Sequence, residues 1–487
     1  MKTWFATTAF AALALGAVQP ALAAPRLAVL TDIGNEPDDQ MSLVRLLLYS
    51  NEIDIAAIVA VTSVWQRDKL APEIAGQVID AYGLVAPNLA LHARGWPSAA
   101  TLKSRVVSGV PRYGLAGIDP GHPSPGALAL LALARQETDE PLWIAAWGGT
   151  NTLAEALEHA RRTMSVGALA QIVARLRVYS ISDQDDAGPW LRREFPELFY
   201  VVSPSTPDGS DYARAAWTGI SGDRYYRNGL GADFTTVSNE WLDRNIRRKG
   251  PLGAHYPRYL FIMEGDTPSF LGLIPTGLQG GDRPDWGGWG GRYLLRQPYG
   301  ETRAIWTQGG DSFARITSAD TVGEVTSDQA TIWRWREAFQ NDFAARMDWT
   351  IKPFDAANHP PEPVVNGSPG LEPMHLALRV GETLQVTATA SRDPDGDRLH
   401  YRWSGYAEAG FGGGQFGPPQ LRIAGADRAQ AALSASATCS PNWLAMGECP
   451  AQGEAHVILA VTDSGKPALT RYRRLIVTVT QPGKSPP

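Results

Sequence analysis

An acidic turn between a predicted strand and a predicted helix constrains the fold of this chain more than any other feature. The apolar run from Leu27 to Leu30 ends at Thr31, and a helical pattern begins at Met41. Between them lie the acidic residues Asp32, Glu36, Asp38 and Asp39. A strand that turns directly into a helix is typical of an open α/β sheet, which binds ligands at the carboxyl ends of its strands. Crowded carboxylates repel one another unless protons or a cation neutralise them, so the turn indicates a divalent metal site.

The chain from Arg26 to about Ile274 alternates between strand-like and helix-like segments. Apolar or β-branched runs that predict strands lie at 53–61, 142–146 and 177–181. Segments with helical periodicity lie between them, at 71–82 and 151–162. Such alternation predicts an open, mostly parallel sheet with helices on both faces. We therefore expect an α/β domain over residues 25–352.

A second pattern follows a Pro-, Asn- and Gly-rich stretch at 353–373, which we interpret as a linker. Residues 374–487 contain short alternating segments at 376–380, 383–389, 399–403, 455–462 and 472–479, separated by turns, and this spacing predicts a small immunoglobulin-like β-sandwich. The Asp-rich segment 391–397 suggests a calcium-binding EF-hand loop, but Arg398 stands where such a loop has Gly and Ser404 where it has Glu, so the segment is predicted to be a structural turn. A chain ending near Ala357 should retain calcium binding and any hydrolysis of small soluble substrates, provided that the sandwich covers neither the cleft nor the apolar face of the helix around Trp333.

The composition excludes several classes of partner. Residues 1–24 contain one early Lys, an apolar stretch and Ala21-Leu22-Ala23, which predicts a signal peptide and a secreted or periplasmic protein. No later apolar run is long enough to span a membrane, and a net charge of −6 without basic tracts argues against nucleic acid. In an oxidising compartment Cys439 and Cys449 are expected to form a disulfide. The sequence does not indicate an oligomeric state.

Two further segments place polar residues after predicted strands. Gly148-Gly149-Thr150-Asn151 follows the strand at 142–146, and Glu264-Gly265-Asp266-Thr267-Pro268 follows an apolar run. With the acidic turn, they resemble the inosine-uridine-preferring nucleoside hydrolase superfamily, whose signatures have the forms D-x-D-P-G-x-D-D, G-P-L-T-N and H-D-P. The segments 30–39 and 182–190 resemble a divergent branch that carries a carboxyl-terminal β domain and is labelled in part as cellulose-binding.

The resemblance implies a set of roles at a calcium site. Asp32 would be both a Ca²⁺ ligand and the catalytic base, Asp39 and Asp266 would be further ligands, and a carbonyl near Trp147 would complete the set. Asp38 and Asn151 would contact the substrate. Helix capping is the structural alternative for Asp38, Asp39, Asn151 and Asp266. Leu30 and Gly265 depart from the family signature, which lessens the case for recognition of a nucleobase.

Other polar and aromatic residues are predicted to contact substrate from the same end of the sheet. The loop after the strand at 177–181 could grip vicinal hydroxyls, and a Gly- and Trp-rich segment at 280–293 could offer flat apolar faces to a sugar. The structural alternatives are a helix-capping Asp cluster and a buried core segment. The candidates are Asp183, Gln184, Asp185, Glu264, Trp65, Gln66, Trp286 and Trp289, with Asp183, Asp185 and Glu264 also considered as the leaving-group acid.

These observations predict a secreted, calcium-dependent hydrolase of glycosidic bonds that acts on a carbohydrate. Export, the tryptophans and the appended sandwich favour carbohydrate over nucleoside. A nucleoside N-ribohydrolase is one alternative, and a non-catalytic carbohydrate- or cellulose-binding protein is another.

Overall fold

The computed structural model describes residues 24–204, 212–221, 232–278, 280–311, 316–409, 416–445 and 447–482. The predicted signal peptide therefore lies outside the described residues, except for Ala24. Eight strands of the amino-terminal domain form one sheet: β1 Arg26–Thr31, β2 Asp54–Ala60, β3 Val106–Ser108, β4 Leu142–Ala146, β5 Leu176–Ser180, β6 Phe199–Val202, β7 Leu294–Arg296 and β8 Ile305–Thr307. Their order is β3-β2-β1-β4-β5-β6-β8-β7. Every neighbouring pair is parallel except β7 and β8, which confirms the predicted mostly parallel sheet.

Helices pack on both faces of this sheet. They are α1 Pro37–Leu47, α2 Pro72–Leu89, α3 Ala99–Ser104, α4 Pro125–Ala134, α5 Asn151–Thr163, α6 Val166–Arg175, α7 Ala187–Glu194, α8 Asn239–Leu242, α9 Gly250–Ala254, α10 Pro268–Leu271, α11 Ala330–Trp333 and α12 Arg336–Asp348. None of these described helices is long and apolar enough to cross a bilayer. Strand β1 is a continuous apolar run because both of its faces are buried. Leu27 and Val29 join the core with α1 and α12, whereas Ala28 and Leu30 join the core with α4 and α5.

The acidic turn connects β1 to α1 at the carboxyl edge of the sheet. Gly34 has a φ of 108°, a conformation that favours glycine, and it lets the chain reverse direction within a few residues. Pro37 then occupies the first turn of α1, where its missing N–H costs no hydrogen bond. The N-cap residue is Glu36, which makes no side-chain capping bond. The turn therefore presents its carboxylates at the sheet edge where parallel α/β folds bind ligands.

Among the described residues, short strands outside the larger sheets form three hairpins: β9 Gly310–Asp311 with β10 Ile316–Thr317 and β11 Asp320–Val322 with β12 Val325–Ser327, both before α11, and β13 Val364–Val365 with β14 Ser368–Pro369 after α12. The last hairpin lies within the predicted linker. Beside it, the Asn358 side chain donates to Asp463 at 3.1 Å and the backbone N–H of His359 donates to Asp395 at 2.7 Å. The linker is thus bonded to the sandwich that follows it.

The carboxyl-terminal domain is a two-sheet sandwich, as predicted. Its strands are β15 Met374–Arg379, β16 Thr383–Thr387, β17 His400–Gly405, β18 Leu421–Ala424, β19 Gln430–Ala435, β20 Gln452–Thr462 and β21 Thr470–Thr480, and it also contains the short helix α13 Pro441–Leu444. One sheet has the order β15-β21-β20-β17 and the other β16-β19-β18. Trp403, Leu433, Val457 and Leu475 fill the space between them. The predicted disulfide between Cys439 and Cys449 is present.

The sandwich packs tightly against the α/β domain. Trp335 lies edge-to-face against Tyr406 and Tyr472 of the sandwich, at ring-centroid distances of 6.0 and 5.5 Å. Arg471 forms a buried ion pair with Asp342 of α12 at 2.6 Å. The condition attached to a chain ending at Ala357 is therefore not met, because the sandwich covers residues adjoining Trp333.

Candidate metal and substrate site

Three carboxylates converge at the carboxyl end of β1. Asp38 and Asp39 lie in the first turn of α1, and Asp266 lies in the loop before α10. One oxygen from each lies within 4.8 Å of the others. The three residues are only 8%, 4% and 3% exposed, and Oδ2 of Asp266 has no hydrogen-bond partner among the described residues. Buried carboxylate oxygens so placed fit a hard divalent cation such as Ca²⁺, which prefers oxygen ligands.

The electrostatics of the cluster are unfavourable without a counter-charge. Burial, together with the charges of Glu36 and Asp32, raises the pKa of Asp38 to about 8. Burial also raises the pKa of Asp39 and of Asp266 well above the ordinary value, with their acidic neighbours acting in the same direction. A hydrogen bond from the Thr31 hydroxyl to Asp39 opposes this effect. The cluster must therefore hold protons or a cation near neutral pH.

Asp32 lies beside this cluster and is oriented by the loop after β2. The Ser63 hydroxyl donates to Oδ2 of Asp32 and accepts from the backbone N–H groups of Trp65 and Gln66, at 3.0 and 3.1 Å. The Gln66 amide donates to the Asp32 carbonyl at 3.0 Å. Burial raises the pKa of Asp32 to about 6, although the bond from Ser63 lowers it. Gln66 thus positions the predicted base, and its side-chain amide is already engaged.

Two glycines make room for these carboxylates. A Cβ atom on Gly148 would lie 2.9 Å from Oδ1 of Asp32, and one on Gly265 would lie 2.8 Å from Oδ2 of Asp38. Such distances are shorter than real Cβ contacts, so a larger residue at either position would displace a carboxylate. Gly265 occupies the position where the family often has His, and here that space lies next to Asp38.

The three predicted candidates for the leaving-group acid have structural partners. Asp183 forms a bidentate ion pair with Arg192 at 2.8 and 3.0 Å. Glu264 is fully buried and accepts hydrogen bonds from Arg45 and from the Tyr256 hydroxyl. Asp185 accepts from the backbone N–H groups at 151 and 187, at 2.9 and 3.0 Å, and burial raises its pKa to about 6. These contacts make each carboxylate part of the scaffold.

Three other predicted site residues also make internal bonds. The Asn151 side chain is completely buried and donates to the Arg112 carbonyl at 2.8 Å and to the Thr62 hydroxyl at 3.2 Å. The Gln184 amide donates to the carbonyl of Trp147. That carbonyl was predicted as a metal ligand, and in the structure it accepts a side-chain hydrogen bond. The group of three converging carboxylates includes Asp38, which was predicted to contact substrate, and does not include Asp32, which was predicted to be a metal ligand.

Aromatic side chains extend from the mouth of the site. Trp65 is 51% exposed and lies edge-to-face with Tyr212 at a ring-centroid distance of 6.3 Å, and Tyr212 packs against Trp217 at 5.6 Å. The Trp217 ring would be 3.3 Å from a Cβ atom on Gly265, which places it next to the acidic cluster. Tyr212 and Trp217 were missed in the sequence because they lie in a segment without strand or helix periodicity.

The two tryptophans of the Gly-rich segment lie elsewhere, which corrects their predicted position at the acidic turn. Trp289 is 1% exposed and packs edge-to-face against Phe339 in the core. Trp286 is half-buried and lines a cavity at the other end of the sheet. The sandwich contacts this segment, because Arg474 on β21 donates to the Gly287 carbonyl at 2.8 Å.

Comparisons with known proteins agree with this architecture. Residues 26–293 match the family described as cellulose-binding Sde182, nucleoside hydrolase-like domain, and residues 383–479 match the cellulose-binding protein Sde0182, C-terminal domain. A nucleoside hydrolase-related hypothetical protein from Saccharophagus degradans, described as associated with carbohydrate metabolism, is 32% identical with a TM-score of 0.77. That match covers 94% of this chain and 100% of the other. The type III effector XopQ in complex with adenosine diphosphate ribose is 12% identical over 68% of this chain and 96% of its own, with a TM-score of only 0.33. No curated protein matches.

Proposed function

Since the chain belongs to the cellulose-binding Sde182 family with a nucleoside hydrolase-like domain, we propose that it is a secreted, calcium-dependent hydrolase of glycosidic bonds in carbohydrates. The observation that carries this proposal is the convergence of Asp38, Asp39 and Asp266 within 4.8 Å, beside Asp32. Burial and mutual repulsion raise the pKa values of these carboxylates, so the cluster is stabilised by protons or by a bound cation.

The residues present fit a bound divalent cation and a hydrolytic role. Asp38, Asp39 and Asp266 would hold the ion through carboxylate oxygens, among them Oδ2 of Asp266, which has no hydrogen-bond partner within the described part of the chain. When bound, such an ion supplies positive charge that lowers the pKa of a neighbouring water. Asp32, with a pKa of about 6, is suited to accept that water's proton near neutral pH. Ser63 keeps the Asp32 carboxylate in one orientation for this transfer.

The rim of the site supports a sugar as substrate. The exposed ring of Trp65 and its neighbour Tyr212 offer apolar surfaces to the C–H groups of a pyranose. The described relative is associated with carbohydrate metabolism, and both matching families are cellulose-binding by description. We therefore favour an oligosaccharide over a nucleoside.

A non-catalytic carbohydrate-binding protein is the second candidate. The observation that favours it is the engagement of Asp183, Asp185 and Glu264 in structural bonds, because glycosidic cleavage usually needs a proton for the leaving oxygen. Under this alternative, the acidic cluster would keep a structural ion, and sugar would bind without being cleaved.

A substrate screen separates these functions. Purified protein is incubated with cello-, xylo- and manno-oligosaccharides and with inosine, uridine and adenosine, in calcium and in EDTA, and released sugar is quantified. We expect cleavage of an oligosaccharide that requires calcium and is lost in Asp32→Asn, whereas Asp68→Asn, which changes an exposed aspartate, retains it. Release of ribose alone would favour the nucleoside hydrolase, and binding without release would favour the non-catalytic protein.

A further inference from the structure

A large cavity lies at the end of the sheet opposite the acidic turn. It has a volume of about 810 Å³, within the range of roughly 300 to 1,000 Å³ that small-molecule sites occupy. Its walls include Pro25 before β1, Pro141 before β4 and Arg177 near the start of β5. These residues mark the amino ends of the parallel strands. The lining contains none of Asp38, Asp39 and Asp266, although it extends to Ser269, whose hydroxyl donates to the Asp266 carbonyl at 2.6 Å.

One wall of this cavity is the Gly- and Trp-rich loop 280–291, which the sandwich holds in place. Nη2 of Arg474, on β21, donates to the carbonyls of Leu278 and Gly287 at 3.0 and 2.8 Å. Arg474 is completely buried, and a Cβ atom on Gly287 would collide with the Tyr406 hydroxyl. The sandwich therefore fixes the loop in one conformation, so the cavity wall depends on both domains.

The chemistry of the walls suits a neutral, hydroxyl-rich ligand. Arg177 forms a bidentate pair with Asp282, with both bonds at 2.7 Å, and Arg283 forms another with Asp285 at 2.8 and 2.6 Å. These two pairs are compensated, and the other charged side chains of the lining, among them Asp139, Glu140 and Glu372, are mostly acidic, so the cavity disfavours an anionic ligand. Their planar groups retain hydrogen-bonding capacity at fixed positions, which matches vicinal hydroxyls. The partly exposed rings of Trp143 and Trp286 add apolar surface.

We propose that this cavity is a second glycan site, which binds a segment of an unbranched, neutral β-glucan without cleaving it. The class of sugar rests on the proposed function, whereas the location and the neutrality of the ligand rest on the cavity itself. The sandwich contributes to glycan binding by holding the loop that contains Trp286. Bound at this end of the sheet, a long glucan would be retained independently of the acidic site.

Calorimetric titration with cellohexaose tests the proposal. The full chain from Pro25 onward is used in EDTA, so that the acidic site lacks its cation and the predicted leader is absent. We expect Trp286→Ala and Asp282→Ala each to weaken the Kd at least about tenfold. Trp443→Ala, which changes a tryptophan on the sandwich remote from the cavity lining, should leave the Kd unchanged. Trp143→Phe is the further variant if Trp286→Ala does not fold.

Four outcomes would overturn the proposal: wild-type binding in both cavity variants, loss of binding in Trp443→Ala, no binding of cellohexaose by wild type in EDTA, or tighter binding of the anionic hexagalacturonate than of cellohexaose. These results are distinct from a failure of the proposed function. Hydrolysis is measured separately in calcium, and its absence would leave calcium-independent binding at the cavity intact.

Discussion

Metal-free protein should become more stable when Asp38 is replaced by Asn, and the gain should grow with pH. Burial raises the pKa of Asp38 from 3.8 to about 8. When the pKa of a carboxyl is higher in the folded state than in the unfolded state, its contribution to stability is greatest at pH values below the unfolded-state pKa. That stability is lost as the pH rises from about 4 through 8, because the unfolded state releases the proton more readily.

The magnitude follows from the difference between the two pKa values. Each tenfold difference in proton affinity corresponds to about 1.4 kcal/mol, so the buried carboxyl lowers the free energy of unfolding at pH 8 by up to about 5 kcal/mol. The asparagine amide also loses water on burial, which offsets part of the gain. We expect Asp38→Asn to be more stable than wild type at pH 8 in EDTA, with a gain at least about 2 kcal/mol larger than at pH 5.

Urea unfolding of both proteins in EDTA at pH 5 and pH 8 measures this difference. Asp68→Asn is the matched control because it makes the same chemical change at an exposed position, and it should shift stability by less than about 0.5 kcal/mol at either pH. The reasoning would be refuted if the difference in free energy of unfolding between Asp38→Asn and wild type were the same at pH 5 and pH 8, or if the variant were less stable than wild type at pH 8. It would mean that the acidic cluster is not destabilised by burial and repulsion.

The remaining predictions concern the metal ligand, the base and the domain interface. Asp266→Ala should weaken calcium binding at least about 100-fold and remove the calcium-dependent rise in Tm; an equal rise in wild type and variant would contradict the assignment. Ser63→Ala should raise the pKa of Asp32, because the hydrogen bond from the Ser63 hydroxyl lowers that pKa in the wild type. The acidic limb of the kcat/KM profile should then move to higher pH, and an unmoved limb would exclude the positioning role. Arg471→Met should lower the free energy of unfolding, measured in urea, by about 3 kcal/mol, because it leaves Asp342 without one buried partner. A chain ending at Ala357 should aggregate because it lacks the sandwich. A soluble, folded truncation would show that the domains are independent.

The sequence predicted the features that arise from local periodicity. The apolar run ending at Thr31, the strand at Leu142–Ala146 and the helix from Asn151 each have a period or a boundary that local physics determines. The proximity of Asp39 and Asp266 was predicted only from the resemblance to the nucleoside hydrolase superfamily, since the apolar run before Asp266 is not a strand in the structure. The short strands β18 and β19 were missed because Leu421–Ala424 and Gln430–Ala435 contain little β-branched sequence.

Features that depend on long-range packing could not be read from the sequence. Glu264 has the same local signal as a catalytic acid, but its partner Arg45 is 219 positions away in sequence. Trp289 lies in a Gly-rich segment typical of a surface loop, and only the packing of Phe339 against it makes it a core residue. The Arg474 bonds that hold the same loop come from the other domain. The environment of each of these residues is determined by the distant segment that packs against it, and the local sequence pattern does not specify that segment.

Anomalous diffraction from crystals soaked in Mn²⁺, which replaces Ca²⁺ among oxygen ligands and scatters anomalously, tests the central claim most directly. The account predicts a single strong peak between Asp38, Asp39 and Asp266, within about 2.6 Å of an oxygen of each, and its loss in Asp266→Ala. A well-ordered crystal of the folded protein with no peak at these carboxylates, at a manganese concentration that saturates other oxygen sites, would contradict it.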